Sequence, residues 1–115
     1  MKYKPETLEQ LKELTDNFDI NLGDIDTSLI TNMSLLFAST DRIDFSGIEN
    51  WDVSKVENMS LMFSRARNFN SDISKWNVSR VKNFCGMFVE AICFNKPLNN
   101  WNTSRAENMS GMFEG

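Results

Sequence analysis

Few side chains in this 115-residue sequence are of a type and spacing that could do chemistry. Cys85 and Cys93 are eight residues apart and the chain holds no histidine, so the close Cys/His spacing of a zinc site is missing and both read as ordinary thiols. Asp41, Asp44 and Glu49 could gather around a cation, but they lack the alternation of ligands that calcium loops show, and no metal is expected. A Gly-rich phosphate loop and a nucleophile motif are also missing, so neither an enzyme nor a bound cofactor is expected. Asn32, Asn58, Asn77, Asn102 and Asn108 each begin an Asn-x-Ser triplet, the pattern of a glycosylation acceptor. Their regular recurrence favours a structural role.

One set of charges is ordered. Lys55, Arg80 and Arg105 recur at an interval of 25 residues, each directly after a serine. Stacking of successive segments would bring these like charges together, and an acidic partner surface would relieve the repulsion. The simpler reading is a solvated stripe partly neutralised by Glu57 and Glu107, since exposed charges interact weakly through water.

The elements that must position this column form an internal repeat. Segments 52–76 and 77–101 are identical at ten of twenty-five positions. The recurring columns are Trp51, Trp76 and Trp101; Val53 and Val78; Ser54, Ser79 and Ser104; Asn58, Asn83 and Asn108; Met62, Met87 and Met112; and Phe63, Phe88 and Phe113. A fixed period of this length signals stacked supersecondary units. The chain divides into a capping helix and degenerate repeat over 1–25, full repeats at 26–51, 52–76 and 77–101, and a partial repeat over 102–115. The first full repeat is one residue longer, the extra residue lying between Phe37 and Ile48.

Within a unit, Val53, Val56, Met59, Met62, Phe63 and Ala66 fall at spacings of three and four, which predicts a helix of about three turns. Ser54 with Glu57, and Ser104 with Glu107, have capping-box spacing; Lys82 leaves Ser79 to cap alone. Phe69, Ile73 and Trp76 then predict a short extended rung. Rungs about 4.8 Å apart beside helices about 8 to 10 Å apart would curve the stack. The expected fold class is therefore α/β, a right-handed solenoid of short strands and helices with an N-terminal helical cap. That cap is a helix over 4–15, with Pro5 in its first turn and Leu8, Leu11 and Leu14 on one face. Leu22 takes the column of Ile48, Ile73 and Leu98, Ile25 that of the tryptophans, and Phe18 that of Phe69 and Phe94. The asparagine column is expected to bond backbone at the same bend of every unit.

Composition adds a direction to the molecule. Net charge is −4, with 4 basic and 10 acidic groups in residues 1–50 against 8 and 6 in residues 51–115. Head-to-tail contact is one thing this asymmetry favours. No apolar run is long enough for a membrane span, and the first eleven residues are too charged to read as a signal peptide, so the cytoplasm is the expected location.

The strings WDVSKVENMSLMF at 51–63 and FNKPLNNWNTS at 94–104 resemble the repeat of the BspA-family leucine-rich-repeat surface proteins of bacteria, over residues 18–115. The segment 3–28 is similar to the entry segment of such proteins. The resemblance implies a leucine-rich-repeat-like solenoid that binds other macromolecules at bacterial surfaces, and it supplies no catalytic residue.

Two further surfaces are candidates for contact. In the third repeat Val89, Ile92 and Cys93 replace Ser64, Arg67 and Asn68, which makes either an exposed apolar patch or a helix end covered by the next loop. Met112 and Phe113 belong to a turn on which another unit would stack, so a two-fold homodimer through that end would close it. The expected function is a non-catalytic protein-protein interaction module with a protein partner and no nucleic acid, the overall charge being negative. The alternative is a self-associating unit or a fragment of a longer surface array.

Overall fold

The repeat is expressed in three dimensions as a backbone register, not as helices and strands. A computed structural model describes residues 2–113. Parallel bridges join Asn32 to Asn58, Asn58 to Asn83 and Asn83 to Asn108, so each unit lies against the next. The amide N–H groups of Met59, Leu61, Phe63 and Arg65 donate to the carbonyls of Asn83, Cys85, Met87 and Val89 at 2.7–2.9 Å. Those of Met62, Ser64 and Ala66 turn inward and donate to Met59, Leu61 and Phe63, three residues back. Alternate amides thus serve the neighbouring unit and the unit's own tight turns.

This pattern overturns the expected solenoid of strands and helices. Among the described residues there is one α-helix, α1 (Leu8–Asp16), two single 3₁₀ turns (Leu22–Asp24 and Ile48–Asn50), four isolated bridges and no strand. The radius of gyration is 12.8 Å, that of an ordinary globule of this length. Backbone handedness explains the missing repeat helices. Leu35, Leu61, Gly86 and Gly111 occupy one column at φ 62°, 56°, 62° and 65°, and Ser39, Arg65 and Glu90 another at 57°, 58° and 55°. A left-handed residue at every fourth position breaks a helix, and each such L-residue costs roughly 1 to 2 kcal/mol. The bonds to the next unit, which a helix would not make, offset that strain. Spacings of three and four therefore came from successive turns, which bury Met59, Met62, Phe63 and Ala66 as completely as a helix would.

Aromatic columns fill the space between units. Phe37, Phe63, Phe88 and Phe113 stack with successive centroids 5.5, 5.7 and 5.3 Å apart and nearly parallel planes. Each tryptophan indole N–H reaches back one unit: Trp51 donates to Leu22 O at 2.8 Å, Trp76 to Ile48 O and Trp101 to Ile73 O, both at 3.0 Å. Leu22 and Ile25 are buried in the columns expected of them. Phe18 is not; its half-exposed ring lies 5.4 Å from the Arg42 guanidinium carbon, and Phe45 meets Phe69 instead.

Helix α1 is shorter than the predicted 4–15, because its cap is Thr7, which accepts from Gln10 N. Gln10 Oε1 in turn accepts from Glu6 N at 2.8 Å, so the box-like exchange falls here and not at Ser54 and Glu57. Leu11 and Thr15 face the core. Lys12 Nζ donates to Leu36 O at 2.9 Å, and Leu36 stands in the column of Met62 and Met87, whose carbonyls accept an amide of the preceding unit. The ammonium thus replaces a missing rung. Arg42 does the rest: it is 2% exposed and its Nη2 donates to Thr15 O, Asn17 O and Ile20 O at 3.0–3.2 Å, with Nη1 on Asp44 O. Register still holds at Ser39, which donates to Ser64 O, so the extra residue of the first repeat lies in the segment that carries Arg42.

Two stability experiments follow. Position 39 should prefer Gly over Ala by roughly 1 kcal/mol in urea unfolding, since it is left-handed; a helix would give the opposite sign. Arg42→Met should lower stability by about 3 kcal/mol, since it removes the donor from the carbonyls of Thr15, Asn17 and Ile20 in contacts that are buried or part-buried. A loss under about 1 kcal/mol would show that the first unit does not depend on this guanidinium.

Candidate functional site

Two columns of side-chain turns shape the surface. Asp26, Asp52, Asn77 and Asn102 accept from the backbone N–H of Ser28, Ser54, Ser79 and Ser104 at 3.0–3.1 Å. Asn32, Asn58, Asn83 and Asn108 do the same for Ser34, Ser60, Cys85 and Ser110 at 2.9–3.0 Å. These turns account for the Asn-x-Ser triplets: the amide oxygen is the acceptor and the residue two places on is the donor. The expected capping role of Ser54, Ser79 and Ser104 gives way to this one, because no helix follows them.

The first column delivers the cations. Lys55, Arg80 and Arg105 occupy the second corner of turns closed by Val56 N to Val53 O, Val81 N to Val78 O and Ala106 N to Thr103 O, at 3.0 Å each. All three are exposed. With Ser54, Asn77 and Ser79 they line one open groove of about 370 Å³. Among the described residues none of the three makes an ion pair, whereas Arg65 is held by Glu90 at 2.7 Å. Asn77 and Asn102 stand where Asp26 and Asp52 stand in the earlier units, so the turns beneath Arg80 and Arg105 carry no countercharge. Such a groove can hold an anion by charge and by forked guanidinium hydrogen bonds.

The other candidates scatter. Ile92 is 70% exposed and Cys93 exposed, while Val89 is half-buried, so the third-repeat patch is narrower than three residues. Met112 is buried, and Phe113, with one face on Phe88, is 62% exposed. The last two residues of the partial repeat 102–115 lie outside the described residues. Among the described residues no three Cys, Asp or Glu side chains gather as a metal set, and Asp44 is engaged with Ser46 N and Oγ. Cys85 Sγ lies 3.5 Å from Ser110 Oγ. Among the described residues no helix is long and apolar enough to cross a membrane. Sequence reasoning missed Arg42 and the left-handed columns; the glycines Gly86 and Gly111 in the column of Leu61 were the available signal for the latter.

Comparison with protein families finds a match over residues 6–115, to the family described as "Mycoplasma protein of unknown function, DUF285". No curated protein and no solved structure matches the chain.

The aspartates of these turns give the fold a pH dependence. Hydrogen bonds from Ser54, side chain first and backbone second, hold the Asp52 carboxyl below the usual range; at Asp26 the backbone N–H of Ser28 is the leading cause, followed by its side chain. A folded pKa below the unfolded one stabilises above the unfolded value and is lost as pH falls through the folded value. Melting temperature should therefore drop as pH falls from about 5 to about 3, and Asp26→Asn with Asp52→Asn, which copies Asn77 and Asn102, should flatten that drop. An unchanged slope would assign the acid sensitivity to other carboxylates.

Proposed function

The chain belongs to the DUF285 family, and from its surface we propose that it is a non-catalytic protein-interaction module that takes an acidic polypeptide segment along the groove of Lys55, Arg80 and Arg105. One observation carries this reading: three exposed cations share a groove without an ion pair among the described residues, over turns whose aspartate has become asparagine in two units of three. The column of backbone turns beneath them fixes the spacing at which the three side chains leave the backbone. The likeness of the repeat to BspA-family surface proteins also favours binding over catalysis. A self-associating unit is the second reading, favoured by the exposed ring of Phe113.

A fluorescent octaglutamate peptide should bind the chain at about 0.02 M salt and release as salt rises to about 0.15 M, where the screening length shortens to about 8 Å. Lys55→Glu, Arg80→Glu and Arg105→Glu together should weaken binding roughly tenfold or more. Equal binding by the variant would remove the groove from consideration.

A further inference from the structure

Helix α1 carries the complementary charge. Leu11 and Thr15 point to the core, which leaves Glu9, Glu13 and Asp16 exposed. At 100° per residue these three fall within a narrow arc, so they make one acidic stripe. Glu9 and Glu13 form no ion pair among the described residues, while Asp16 shares Lys12 at 3.0 Å. No residue of α1 lines the basic groove of its own chain.

The two stripes match in length as well as in sign. Along a helix axis, positions 9 to 16 span about 10.5 Å. Successive units joined by parallel backbone hydrogen bonds advance about 4.8 Å, so positions 55, 80 and 105 span about 9.6 Å. The two stripes therefore extend over the same distance, with Glu9 and Glu13 the carboxylates that no cation of their own chain engages among the described residues. A nucleic acid would bring a longer run of charge than this groove offers and would face a chain of net charge −4.

We propose that the occupant of the groove is helix α1 of a second copy of this chain. Glu9 and Glu13 lie against Arg80 and its neighbours in the column, with guanidinium-carboxylate pairs where geometry allows two parallel bonds. The contact joins unlike surfaces, so it is heterologous and head to tail, and it extends as an open row of copies unless the rotation closes a ring. This inference rests on the groove being a binding site for acidic segments, and it names the segment.

Light scattering on the eluting chain tests it, at about 0.02 M and about 0.5 M salt. The expected result is a mass above one chain at low salt that returns to one chain at high salt. K55E/R80E/R105E alone and E9K/E13K alone should each stay single at low salt. Mixed in equal amounts, they should associate again, since each then offers the charge the other lacks. All five positions are exposed, and matching melting temperatures for the two variants will show that they fold. A wild-type chain that stays single at every concentration overturns the proposal, as does a mixture that fails to associate. So does association that survives both charge variants and is lost in Phe113→Glu. Octaglutamate binding separates the two readings: a single chain that binds the peptide keeps the groove and loses the second copy, whereas a single chain that ignores the peptide loses both.

Discussion

The hydrogen bonds between successive units are the constraint from which the rest of this structure follows. A parallel ladder holds the backbones about 4.8 Å apart. Rings stacked 5.3–5.7 Å apart, centre to centre, fit that advance, and so phenylalanines can recur in a column with their planes nearly parallel. Tryptophan meets the same spacing differently. Its indole N–H bonds the carbonyl one unit back, so a large buried side chain leaves no polar group unsatisfied. Left-handed leucine, serine, arginine and glutamate would be liabilities in a single loop. Within the ladder Leu35, Ser39, Leu61 and Arg65 each donate their amide to a carbonyl of the next unit.

A stack of this kind has to end somewhere, and its first unit shows how a polar edge is covered without another repeat. Leu36 O would accept an amide from a preceding unit; it accepts the Lys12 ammonium instead. Arg42 collects three carbonyls from the last turn of α1 and the segment that follows it, and its burial lowers the guanidinium pKa from the ordinary value while Asp44 and Asp16 pull it back up. The group stays charged, since a guanidinium is not deprotonated in proteins. Its Nε finds no acceptor among the described residues, a residual cost that the Nη bonds outweigh. Two cations thus do at the edge what backbone amides do inside.

The surface inherits the order of the interior. Because the Asp/Asn turn recurs in every unit, whatever follows its serine is delivered to the same corner, and three cations in a row are the outcome. The aspartates of the first two turns and the asparagines of the next two perform one hydrogen-bonding task with different charge. Exchange between them keeps the backbone hydrogen bond of the turn and changes the field over the groove. Repetition therefore makes a patterned surface from local rules, and the acidic helix at the other end gives the pattern a complement.

Much of this was legible in the residues themselves. The period, the register with its one-residue insertion, the core columns from Leu22 to Met112, the one-faced N-terminal helix and the cation column all follow from spacing and side-chain type. Spacing alone could not separate a helix from a run of tight turns, since both put every third or fourth side chain on one face. The choice depended on where the amide groups of residues such as Leu61 and Arg65 find acceptors, and those acceptors sit a whole unit away. Arg42 was opaque for the same reason. A lone arginine in a loop looks solvated until α1 turns its carbonyls toward it. The sequence by itself determined which side chains share a column, because equal spacing maps to equal position. Only the tertiary structure decided how the backbone runs beneath them, because hydrogen bonds between units outweigh the local preference of any one segment.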